Sequence, residues 1–273
     1  MREVAFIKMH GIGNDYVFID CFPFETAGVI AETDLSELAR RVSDRHYGIG
    51  SDGLVLILPD PEADARMRMF NADGSEAQMC GNAIRCIGKY LYESGLCRKE
   101  ALRVATKAGI RELEIHVANN VVTSVTVNMG KPIVMQDKLD LDGETLEFMS
   151  VNTGNPHAVF FRDRLPSSDE VAVLGERIGT HPHFPEGTNV EFARVRNNKE
   201  IDLRVWERGT GETMACGTGA CAMAVAAMYQ GLTEREVTVH LRGGDLLITW
   251  QADNEPVYMT GSATEVFRGK VSV

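Results

Sequence analysis

The chain has 273 residues, 44% hydrophobic and 25% charged, which is the composition of a soluble globular protein with room for two ordinary domains. A net charge of -11 and an isoelectric point near 5.2 exclude the basic surface that nucleic acid or an anionic membrane requires, so neither is expected as a partner. A small zwitterionic ligand needs only one local cation and stays compatible with that charge.

The chain opens with MREVAFIKMHGIGNDY, a strand running into a glycine-rich turn. It lacks the long apolar stretch and small-residue cleavage site of a secretory signal, and no later apolar run approaches the roughly 20 residues of a membrane span. The six cysteines, Cys21, Cys80, Cys86, Cys97, Cys216 and Cys221, are too few and too scattered for a disulfide scaffold. Reduced thiols in the cytoplasm are therefore expected. Neither Cys80/Cys86 nor Cys216/Cys221 has the short gap of a zinc knuckle, so no metal is expected.

Further along, FNADGSEAQMCGNAIRCIGKYLYESGL (70 to 96) and WERGTGETMACGTGACAMAVAAMYQGL (206 to 232) align without a gap at a constant offset, the 136 positions that separate Cys80 from Cys216. Each block has an aromatic strand end, a polar loop, a glutamate, a Cys-Gly pair and a helical stretch that stops at Gly95 or Gly231. The same offset sets LARRV (38 to 42) beside LGERI (174 to 178), and GSDGLVLI beside EGTNVEFA. With slippage, GIGND pairs with NTGNP and VNMG with YMTG. Shared order along the chain predicts a duplication. The two lobes are 1 to 130 and 131 to 262, and the tail 263 to 273 is free to return to the first.

RELEIHV, VVTSVTVNM, EVTVHL and DLLITW alternate or are β-branched and are separated by turn signals. Their short gaps favour mostly antiparallel sheets. ACAMAVAAMYQG is apolar on nearly every face, which marks a helix buried inside its lobe. The predicted fold class is α+β, with two pseudo-symmetric lobes that each wrap a mostly antiparallel sheet around a central helix.

Both Cys-Gly pairs precede a helix. A helix N-terminus carries backbone N–H groups and positive partial charge, so a cysteine at the first helical position is expected to have its pKa lowered toward neutrality. The following glycine lets a ligand approach, and a carboxylate there would meet Gly81 and Asn82 on one side and Gly217 and Thr218 on the other. If the lobes face each other across a cleft, Cys80 and Cys216 reach opposite faces of one carbon. Inversion of a stereocentre by proton transfer needs that arrangement. A thiol, with an ordinary pKa of about 8.5, serves as acid or base near neutrality. An unmatched cysteine is a packing residue, the reading given to Cys86, Cys97 and Cys221.

The blocks KMHGIGNDYVFID, DRHYGIGSDGLVLI, MRMFNADGSEAQMCGNAIRC, VNTGNPHAVF, GTNVEF and WERGTGETMACGTGACA resemble the diaminopimelate epimerase family, in family order and over nearly the whole chain. Proline racemases of the same superfamily tend to read Cys-Gly-His where this chain has Cys80-Gly81-Asn82. The resemblance implies interconversion of LL- and meso-2,6-diaminopimelate toward lysine and peptidoglycan precursors, with no pyridoxal phosphate, metal or other cofactor. By resemblance, Cys80 and Cys216 exchange the α-proton, with His157 and Glu207 as catalytic helpers. Asn14, Asn71, Asn155, Asn189 and Arg208 match substrate-binding positions, and Glu207 is suited to meeting an ammonium as well.

Two positions depart from the family pattern. Gly53 stands where some members carry glutamine, and Phe267 where some carry a tyrosine linked to dimerisation, which leaves a homodimer open. A proline or hydroxyproline racemase is the alternative within the superfamily, and a non-catalytic amino-acid-binding protein is the alternative outside it.

Overall fold

The computed structural model describes residues 2–273, which divide into two compact units, 2–127 with Gly261–Val273, and Asn128–Thr260. The first contains β1 (Glu3–Gly11), β2 (Asn14–Asp20), α1 (Phe24–Ala31), α2 (Leu35–Ser43), β3 (Gly53–Leu58), β4 (Ala65–Asn71), β5 (Glu76–Ala77), α3 (Gly81–Glu93), β6 (Ala101–Thr106), β7 (Gly109–Ala118) and the start of β8 (Val121–Gly130). The second contains β9 (Ile133–Leu141), β10 (Glu144–Asn152), β11 (Pro156–Phe161), α4 (Ser168–Gly179), β12 (Asn189–Asn197), β13 (Glu200–Glu207), β14 (Gly211–Glu212), α5 (Gly217–Tyr229), β15 (Glu236–Leu241), β16 (Gly244–Thr249) and β17 (Val257–Gly261). The last strand, β18 (Thr264–Ser272), pairs antiparallel with β1 in the first unit.

Within each unit the strand order is the same. The first runs β18-β1-β2-β3-β4-β6-β7-β8, with the short β5 also on β4. The second runs β9-β10-β11-β12-β13-β15-β16-β17, with β14 also on β13. The fold is two-domain α+β, rich in sheet and poor in helix. Most pairs are antiparallel, but β2–β3 and β4–β6 are parallel, as are β11–β12 and β13–β15. A parallel pair needs a crossover, and helices α1 to α5 occupy those connections. Short gaps between the most obvious strands hide these longer links.

The repeat extends to single side chains. Arg68 Nε donates to Glu76 Oε1 at 2.8 Å, and Arg204 Nε donates to Glu212 Oε1 at the same distance. Each pair fastens the short strand that leads to its Cys-Gly helix.

α3 and α5 have the same length and the same kind of ending. α5 is buried at every position from Gly219 to Met228, as an all-round apolar sequence requires. It closes with Gly231 at a φ of 69°, whose N–H bonds Met228 O, while Leu232 N–H bonds Ala227 O. This pair of hydrogen bonds satisfies two carbonyls the helix leaves open, and glycine takes the left-handed conformation without a Cβ clash. Among the described residues no helix is long and apolar enough to cross a membrane.

Candidate functional site

Cys80 and Cys216 are the N-cap residues of α3 and α5, one position before the first helical residue that the sequence suggested. Both backbones are extended there. Each sulfur accepts from the N–H three residues on, Cys80 from Ala83 at 3.5 Å and Cys216 from Gly219 at 3.3 Å. The thiols thus replace the hydroxyl or carboxylate of an ordinary N-cap.

In the first unit Cys80 is half-buried, and its Sγ lies 3.2 Å from the Tyr16 hydroxyl. Fully buried Arg85 secures the start of α3. Its Nη1 donates to Gly81 O at 3.0 Å, its Nη2 to Asn82 Oδ1 at 2.8 Å and its Nε to Ser262 O at 3.3 Å. Gly81 and Asn82 are buried in that first turn. A side chain on Gly11 would bring a Cβ within 2.8 Å of Asn82 O, so the β1–β2 turn must pass here as bare backbone. That turn holds Ile12 at a φ of 47°, an outlier for a β-branched residue, whose burial compensates for the strain. Asn14 opens β2 opposite Gly11. Asn71 ends β4, and its Nδ2 donates to Ser75 Oγ at 3.0 Å, so it also closes its own turn. Gly53 lies beside it in register, and a Cβ there would stand 2.2 Å from Phe70 O, so no side chain fits this backbone.

The second unit surrounds its cysteine with carboxylates. Cys216 is buried beside the Glu207 carboxylate, whose Oε1 accepts from the Thr213 hydroxyl. Thr218 Oγ1 lies 3.5 Å from the sulfur. His157, with a fully buried ring, shares one proton position with Glu191 (Nδ1 to Oε1, 2.7 Å) and another with Asn155 (Nε2 to Oδ1, 3.0 Å). Asn189 Nδ2 donates to Pro156 O and its Oδ1 accepts from Arg208 N–H, both at 3.0 Å. Exposed Arg208 anchors one Nη1 donor on Glu186 O at 2.7 Å and presents the rest of its fork.

Here the expected lowering of the thiol pKa fails. Burial pushes the Cys216 thiol well above its ordinary value, and the carboxylates of Glu207 and Glu191 push it further. Contacts from Thr218 and the Gly219 N–H act the other way but are outweighed. Burial also raises Glu207 and Glu191 above the usual carboxylate range. Cys216 is therefore held as a thiol, the form that donates a proton.

Glu191 was not among the residues read from the sequence. It is fully buried, its Oε2 has no hydrogen-bond partner among the described residues, and a Cβ on Gly219 would lie 2.7 Å from its Oε1. In GTNVEF it alternates with apolar neighbours, and the visible signal was a carboxylate on the inward face of a buried strand.

The family model for diaminopimelate epimerase matches residues 6–135 and 149–266. The chain belongs to the diaminopimelate epimerase family. A relative named diaminopimelate epimerase in Acetivibrio thermocellus is 47% identical over 99% of both chains, and one in Desulfitobacterium hafniense is 49% identical over 96% of both. Among solved structures, a PhzF-family phenazine biosynthesis protein of Bacillus anthracis has a TM-score of 0.75 at 19% identity, covering 100% of both chains. A hydroxyproline epimerase of Agrobacterium vitis has a TM-score of 0.72 at 16% identity, over 99% of this chain and 92% of its own. These two likenesses concern the fold. Sequence identity is what separates the diaminopimelate epimerases from them.

Proposed function

We propose that the chain interconverts LL- and meso-2,6-diaminopimelate by two-base proton transfer without a cofactor, with Cys80 and Cys216 as the acid/base pair. The observation that carries the mechanism is the matched cysteine cap, one per unit, on helices of equal length at the same place in the strand order. The names of the close relatives support the substrate.

A thiolate on one face breaks the α-C–H bond, and the electron pair is taken up toward the carboxylate. The thiol on the other face then delivers its proton to the same carbon. Configuration is inverted and the two thiols have exchanged protonation states. N–H groups at Gly81, Asn82, Gly217 and Thr218 suit the negative charge that grows on the carboxylate. Held as a thiol, Cys216 fits the donor in one direction, with Cys80 as the base, and in the reverse direction, from the other configuration, the two exchange roles. Glu207 and His157 assist from beside Cys216.

The remaining donors of Arg208 suit a second, distal carboxylate, bound bidentately. Asn14, Asn71, Asn155 and Asn189 offer amides to the polar ends of the substrate. A compact imino acid has no distal charged end for Arg208 to hold.

The reading places the enzyme in the cytoplasm, where thiols stay reduced. Phe267, 46% exposed on β18, supports a homodimer through that strand, which sedimentation would test. For the substrate, LL-diaminopimelate and L-proline are incubated separately with enzyme in deuterium oxide. Exchange at the α-carbon of diaminopimelate alone is expected. Exchange on proline but not on diaminopimelate overturns the assignment.

A further inference from the structure

The strand register shows a match between the units that the constant offset conceals. In the parallel pair β2–β3, Tyr16 lies opposite Gly53, and in β11–β12 His157 lies opposite Asn189. One step on, Leu54 faces Phe70 across β3–β4, and Val190 faces Trp206 across β12–β13. Tyr16 therefore holds in the first unit the place that His157 holds in the second. The short runs GNDY and GNPH set the two residues side by side once the slippage in the turn is allowed.

We propose that Tyr16 is a positioning residue for Cys80, its hydroxyl donating a hydrogen bond to the thiolate and stabilising it for proton abstraction. This rests on the reading of Cys80 as an acid/base group. The hydroxyl oxygen is 3.2 Å from Sγ, and Tyr16 is only 3% exposed, so the donor side of that bond is shielded from bulk water. The ring is fixed edge-on against Phe18, with centroids 6.3 Å apart and planes at 81°. Together with Ala83 N–H, the hydroxyl gives the sulfur two donors, and hydrogen bonds to the charged form of an acid favour that form. A phenol ordinarily keeps its proton where a thiol loses it, at about 10 against about 8.5, so the donor survives when the base is made.

The two units then treat their cysteines differently. Cys80 has a neutral fixed donor, whereas Cys216 has the carboxylates of Glu207 and Glu191. One arrangement favours a thiolate and the other a thiol, which is the pairing that one turnover consumes.

The test is Tyr16→Phe, which keeps the ring and its packing. Two quantities are read. Alkylation of Cys80 by iodoacetamide is followed against pH by peptide mass spectrometry, with Cys216 as internal reference, and kcat and KM are measured with LL-diaminopimelate. The Cys80 alkylation midpoint is expected to move to higher pH while that of Cys216 stays. The expected fall in kcat is about tenfold or more, the effect of losing a hydrogen bond to a charged group, with KM within about twofold. A Cys80 profile that coincides with the parent's, or an unaltered kcat, overturns the proposal. A fall in kcat without movement of the profile assigns the residue to packing and also overturns it. Cys80→Ala run alongside separates the two readings: if it still inverts the substrate, the acid/base role of Cys80 has failed, whereas the alkylation profile does not depend on turnover.

Discussion

Cys216 lies against Glu207 and near Glu191, and both carboxylates disfavour its thiolate. Removing a negative neighbour lowers a thiol's pKa, so Glu207→Gln should make Cys216 react with iodoacetamide at lower pH than the parent does. Turnover should fall at the same time, by about tenfold or more, because the proposed acid/base helper is lost. Faster alkylation with slower turnover is the expected signature, and an alkylation midpoint that stays or rises would contradict it. Glu191→Gln should act in the same direction through its charge. Since burial raises the Glu207 carboxyl, the acid limb of the activity profile should lie above the ordinary glutamate value of about 4.3, with activity lost as pH falls through it.

Single residues differ in how well the sequence announces them. Cys80 and Cys216 are legible because a repeat marks both. The direction of the Cys216 pKa is not legible, because it is set by how much water burial removes and by how close folding brings Glu207 and Glu191. Glu191 and Tyr16 sit in strands whose alternation reads as core, and only the folded packing brings them to His157 and Cys80.

At the level of elements, the helices depend on close approaches that only small residues permit. Gly175 in α4 packs so tightly on Trp206 that a Cβ there would lie 2.4 Å from the indole Cγ. Gly175→Ala is expected to cost about 1–3 kcal/mol, the usual penalty for overfilling a packed core, read as a lower midpoint in urea. An unchanged midpoint would mean that α4 can lift off Trp206 without loss. The sequence shows α5 plainly, since an all-apolar run has to be buried. It conceals the parallel pairs, because which strands come together across a helical crossover is decided by long-range pairing that no local pattern records.

On the scale of the molecule, duplication organises everything else. The C-terminal strand β18 lies beside β1 as β9 lies beside β10, so the end of the chain supplies the strand the first unit would otherwise lack. That match is a matter of topology. The short repeat blocks predict it only through their shared order. The same duplication yields two capped cysteines, and the proposed two-thiol chemistry requires both. The direct measurement is inversion of LL-diaminopimelate in deuterium oxide, followed by chiral chromatography and mass spectrometry, with Cys80→Ala and Cys216→Ala beside the parent. The parent should form meso product carrying one solvent deuterium at the inverted carbon, and each variant should form none. Continued inversion by either variant would contradict a two-thiol mechanism.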